Sequence, residues 1–93
     1  MDSDRAEIIA INSLSFVAAN EKYLAGYLNL SGLDLDTLRD NVATPEKMAE
    51  ALAGILDFLM QNETYLLEFA ESYQIDPLDI GRARQCFPGA PLE

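Results

Sequence analysis

The stretch from Met48 to Met60, Met-Ala-Glu-Ala-Leu-Ala-Gly-Ile-Leu-Asp-Phe-Leu-Met, constrains the fold more than any other part of the chain. Met48, Leu52, Ile55, Leu56 and Leu59 recur at i, i+4, i+7, i+8 and i+11. That spacing lines large apolar side chains along one stripe of an α-helix. Phe58 and Met60 flank the stripe, so the helix is apolar around most of its circumference. Such a helix must be surrounded by others, and it predicts the buried centre of a small bundle.

Helix signals flank this stretch on both sides. Asp2 or Ser3 caps a first helix running to about Ala19, with Glu7 near its positive end. Ala6, Ala10, Leu14 and Val17 form its expected core stripe, with Ile9 and Phe16 on the flanks. Ile8 and Ile11 fall well off that stripe. Asn20 caps a second helix, about Glu21 to Leu30, with Tyr23, Leu24, Tyr27 and Leu28 on one face and Gly32 as its stop. Asp34 caps a short third helix to about Val42, with Leu35, Leu38 and Val42 inward.

Thr44-Pro45 then starts the central helix, a capping hydroxyl followed by proline at the first helical position. Asn62 caps a fifth helix to about Tyr73, with Tyr65, Leu66, Phe69 and Ala70 on one face. Asp76-Pro77 starts a sixth to about Cys86, whose apolar positions are Leu78, Ile80, Ala83 and Phe87. Nowhere does the chain alternate with period two, so the class is all-α. Its 93 residues fit one domain, expected over residues 1–87, with 88–93 as a C-terminal tail.

The second half echoes the first at an offset of 42. Leu14/Leu56, Phe16/Phe58, Asn20/Asn62, Glu21/Glu63, Tyr23/Tyr65, Leu24/Leu66 and Asp34/Asp76 are identical pairs. Chance gives roughly two identities over such a span. Val17/Leu59, Tyr27/Phe69, Leu33/Ile75 and Leu38/Ile80 are conservative ones. The expected architecture is a compact six-helix bundle built from two tandem three-helix repeats, about 4–42 and 44–86.

The pattern Phe16…Asn20-Glu21-x-Tyr23-Leu24-x-x-Tyr27…Gly32-Leu33-Asp34…Leu38-Arg39, then Leu56-x-Phe58-Leu59…Glu63…Leu66, resembles a family of small alphaproteobacterial proteins catalogued only as a domain of unknown function. The resemblance covers about Ala6 to Phe87 and rests on packing and capping residues. It implies a small intracellular bacterial helical protein and supplies no activity or catalytic residue.

Composition narrows the function. Sixteen acidic and six basic residues give a net charge of −10, with the acids scattered from Asp2 to Glu93. No basic run exists, which disfavours direct nucleic-acid binding. A lone cysteine, Cys86, excludes an intramolecular disulfide and fits a reducing, cytoplasmic setting. No secretory signal is visible, and the longest apolar stretch is far too short to span a membrane.

Chemistry-bearing patterns are sparse. The chain lacks histidine, the commonest general base and metal ligand, and has no glycine-rich phosphate loop. Asp34 and Asp36 begin like a calcium loop, but Thr37-Leu38-Arg39 breaks it, so Asp34, Asp36 and Asp40 read as capping and helix-dipole charge. Glu68 and Glu71 read as a solvated face, and Cys86 as a small buried or half-buried apolar residue. Tyr23 and Tyr65 read as core rings whose hydroxyls reach water or backbone, or else as paired contacts for a partner. No catalytic, cofactor or metal-binding residue is expected, and no enzyme.

Two functional expectations remain. In one, the chain is a protein-interaction module or adaptor whose apolar patch, marked by Ile8 and Ile11, takes a partner helix or a second copy of itself as a homodimer. In the other it is an acidic regulator occupying the basic surface of a nucleic-acid-binding protein. Dispersed acids favour the first, acids clustered on one face the second.

Overall fold

Local capping chemistry divides the chain before any packing does. The computed structural model describes residues 1–89. They form α1 (Ser3–Ala18), α2 (Glu21–Ser31), α3 (Leu35–Val42), α4 (Pro45–Met60), α5 (Glu63–Tyr73) and α6 (Pro77–Arg84), with no strand among the described residues. The Asp2 carboxylate accepts from the Arg5 N–H at 2.7 Å, and Asp34 from Thr37 at 2.8 Å. Asn20 and Asn62 accept from the Tyr23 and Tyr65 N–H groups, each at 3.2 Å, and Asp76 from Leu78 at 3.0 Å. These bonds satisfy N–H groups that a helix start leaves free. The Thr37 bond also holds the Asp34 carboxyl below the usual carboxylate range. Thr44 makes no side-chain cap, so Pro45 at the first position sets that start without the expected hydroxyl.

Helix lengths follow one order twice. α1 and α4 have 16 residues, α2 and α5 have 11, and α3 and α6 have 8. Every helix of the second set begins and ends 42 positions after its counterpart. The ends of α2 and α5 match in conformation too. Gly32 (φ 74°) and Gln74 (φ 53°) both adopt the left-handed state that lets the chain turn back on a helix end.

α1 and α4 form the centre. Their N-terminal turns lie side by side around one hollow. At the other end the rings of Phe16, Tyr23, Tyr65 and Phe58 join in series, so the two helices run the same way. α1 buries Ala6, Ile9, Ala10, Ser13 and Val17, whose small members let α4 approach closely. The Ser13 hydroxyl donates to the Ala10 carbonyl and so loses nothing by burial. Leu52, Ile55, Leu56 and Leu59 of α4 are buried, as their spacing predicts. The radius of gyration, 12.2 Å, is that of a compact chain of this length, about 12 Å.

Packing corrects several positions. Ile9 and Ser13, not Leu14, complete the α1 stripe, and Leu14 is half-buried. Leu35 is exposed and Leu78 is 67% exposed, because both lie in the first turn of an eight-residue helix, ahead of the turn that meets the core through Leu38 or Ile80. Cys86 is exposed because α6 ends at Arg84 and the chain continues as turns. The tail expected over 88–93 lies, beyond Gly89, outside the described residues.

Arg84 takes the buried place instead. It is 4% exposed, and its guanidinium grips both oxygens of Asp57 on α4, at 2.7 and 3.2 Å. It also donates to the Phe87 and Pro88 carbonyls, at 3.3 and 3.0 Å. Paired and bonded this fully, a guanidinium can be buried without an orphaned charge.

Candidate functional site

α1 turns its small residues and Ile9 toward α4, which leaves the opposite side in water. Ile8 is 54% exposed and Ile11 37% exposed. Asp4 and Ser15 share that side, so the isoleucines form a short apolar band between polar residues. Ile11, Leu14 and Ala18 follow at i, i+3 and i+7, which carries the band along the helix toward its C-terminal half.

There the band meets a groove of about 370 Å³. Leu14 and Ala18 of α1, Leu24 of α2, and Leu35, Leu38 and Val42 of α3 line it with Arg39. The walls are apolar apart from the Arg39 head. That guanidinium stands 3.8 Å from Asp36, with both side chains largely in water.

The groove exists because α3 is held on one side only. α3 packs on α4 and stands off from α1 and α2, whereas α6 packs on α1, α4 and α5. The Asp57–Arg84 pair ties α6 down onto α4. Forty-two positions earlier stand Ser15 and Val42, which make no such tie. The apolar side of α3 lines the groove.

Other chemistry-bearing residues are elsewhere. The Tyr23 hydroxyl donates to Glu68 of α5, and that bond, with burial, pushes the phenol up to about 12. Burial alone raises the Tyr27 phenol. The Tyr23 ring stacks on Tyr65, so both tyrosines join the core, with one hydroxyl answered by a carboxylate rather than backbone. A hollow of about 380 Å³ lies between the N-terminal turns of α1 and α4, bordered by Cys86 and Phe87. The Cys86 thiol faces the Met1 and Arg82 carbonyls at 3.7 Å each. Among the described residues no group of three or more Cys, Asp or Glu is arranged to hold a metal ion, and no helix is long and apolar enough to cross a membrane.

The isoleucine pair was legible in the sequence and the groove was not. Leu14, Leu24, Leu35 and Val42 sit at positions that periodicity assigns to a core. The available signal was a comparison of the halves, in which Asp57 and Arg84 face Ser15 and Val42 at the same offset.

A family model described as "Protein of unknown function (DUF3572)" matches residues 3–90. No curated protein and no solved structure matches the chain.

Proposed function

Since the chain belongs to the DUF3572 family, whose description names no activity, we propose from its surface that it is a small cytoplasmic protein-interaction module, not an enzyme, that receives a helical segment of another protein. The receiving surface runs from Ile8 and Ile11 into the groove under α3. The observation that carries this reading is the continuity of exposed isoleucines with an open apolar groove on the same helix. Covering two such side chains contributes roughly 3–6 kcal/mol of gross hydrophobic free energy, much of it offset by the cost of association.

The acidic-regulator reading has less support. Each of the six helices carries an acid in its first turn, namely Asp4, Glu21, Asp36, Glu46, Glu63 and Asp79. That placement serves helix dipoles around the whole molecule rather than one charged face. Lack of histidine and a single cysteine without a histidine to pair with support the absence of catalysis.

We also propose that the bundle is two tandem three-helix units, 4–42 and 44–86. Equal helix lengths at a constant offset support this, as does the meeting of Tyr23 with its counterpart Tyr65. Cross-half pairs support it as well: Phe16 packs on Phe69, and their counterparts Phe58 and Tyr27 also pack on each other.

The test is capture from the native cell, with wild type and with Ile8→Asp plus Ile11→Asp, at low and high salt, and light scattering on both proteins. A partner held at high salt and lost from a folded, monomeric double variant is the expected result. Capture that survives the double variant and vanishes with salt supports the acidic regulator instead. A wild type that is dimeric while the variant is monomeric makes the surface a homodimer interface.

A further inference from the structure

We propose that α3 is a flap: it leaves α4 and unwinds as a unit while the other five helices stay packed, and so uncovers apolar surface within the folded bundle. α3 has little to hold it. Over residues 28–50 Leu38 is the single buried side chain. Asn41 and Val42 are half-buried, and the rest of α3 is exposed. Among the described residues no side-chain hydrogen bond or ion pair joins α3 to another element. Asp34 caps the Thr37 N–H, and Arg39 faces Asp36 within the same helix. Packing on α4 alone supplies the anchor.

α6 has the same length and far more to hold it. Forty-two positions on, the described stretch 70–89 buries Ala70, Ile75, Ile80, Ala83 and Arg84. α6 packs on α1, α4 and α5, and Asp57 of α4 holds the Arg84 guanidinium.

Both ends of α3 let it part from its neighbours. Gly32 stands at φ 74°, with no heavy atom within 4 Å of where a side chain would begin. Glycine changes backbone state at low cost, so the chain can pivot there. At the other end Thr44 is extended and Pro45 opens α4. Proline has no N–H to bond back toward α3, so α4 keeps its own start when α3 unwinds. Isolated helices shorter than about 12 residues are marginal in water. The eight residues of α3 therefore lose their helix once Leu38 leaves its seat.

Opening changes what the surface offers. Leu38 lines the groove together with Leu14 and Leu24. With α3 withdrawn, the seat of Leu38 joins that groove and the apolar space widens. One buried leucine and one cap oppose this step, so it needs far less free energy than global unfolding.

The test is native-state hydrogen exchange, read by NMR on the intact protein in water and at low guanidinium concentrations. Amides of α3 are expected to exchange at least about a hundredfold faster than those of α4, and to respond weakly to denaturant because little surface is exposed. Asp34→Ala, at the cap of the flap, should quicken α3 about fivefold. Asp76→Ala removes the exposed cap of α6 and lowers global stability, so the slowest α4 amides should quicken about fivefold. Those of α3 should not respond, because α6 is folded both before and after the flap opens.

α3 amides that share the denaturant dependence of α4, or that quicken with it in Asp76→Ala, exchange by global unfolding and overturn the proposal. Amides that exchange as in an unfolded chain, or ignore Asp34→Ala, show that no closed flap exists and overturn it as well. No partner takes part in these measurements, so they judge the flap separately from the docking reading.

Discussion

Tyr23 and Tyr65 stack on each other with ring centroids 4.2 Å apart and planes inclined by 36°. They hold equivalent places, each the third residue of its helix and each donating its backbone N–H to the capping asparagine. A residue meets its own counterpart where a twofold relation passes between them, one of the two relations, with a simple repeat rotation, that the duplication proposed above allows. The stack joins the starts of α2 and α5 at the end of the central helix pair. A double-mutant cycle on Tyr23→Leu and Tyr65→Leu, read by chemical denaturation, should give a coupling of about 0.5–1.5 kcal/mol. Additive effects would place the two rings out of contact.

Tyr23 also predicts a pH response. Its phenol, bonded to Glu68, is raised from 10.0 to about 12. A raised folded value means the contribution is complete below the unfolded pKa. It is then lost as pH climbs from about 10 toward 12. Wild type should lose stability across that window more steeply than Tyr23→Phe. In Glu68→Gln the phenolate absorbance should develop at lower pH than in wild type, while Tyr23→Phe should lack that late-titrating phenol.

The Leu56 side chain is fully buried in the middle of α4. Leu56→Ala leaves a cavity among the central helices and should cost about 2–5 kcal/mol. That is a large share of the stability of a small domain, about 5–10 kcal/mol. An unchanged denaturation midpoint would show α4 to be peripheral.

Asp57→Ala removes the partner of a guanidinium that is 4% exposed. Arg84 keeps its bonds to the Phe87 and Pro88 carbonyls but loses its counter-charge. The cost should be about 1.5–3 kcal/mol. Hydrogen exchange should quicken in α6 first, and Arg84→Met, which removes the buried charge, should cost less than Asp57→Ala.

The two left-handed helix ends should respond in opposite senses. Gly32→Ala meets no neighbour within 4 Å, so its penalty comes from φ 74° alone, at about 1 kcal/mol. Gln74 occupies the same state with a side chain at φ 53°. Gln74→Gly should raise stability by up to about 1 kcal/mol, seen as a higher denaturation midpoint.

Sequence by itself determined the helices and the central place of α4. Caps are local: an Asp or Asn side chain reaches an N–H two or three residues away without help from the rest of the molecule. The stripe of Leu52, Leu56 and Leu59 is equally local, because helical periodicity fixes it before any partner arrives. Exposure of Ile8 and Ile11 followed from the same geometry. Tertiary structure alone decided how far each short helix closes on its neighbours. Leu35 and Val42 have core-like spacing, yet they line a groove, with α3 packed on α4 alone while α6 packs on α1, α4 and α5. Arg84 reads as a surface residue until Asp57, far away in sequence, answers its charge and permits burial. Whether an apolar side chain reaches the core, or a charged one can enter it, depends on partners that periodicity does not encode.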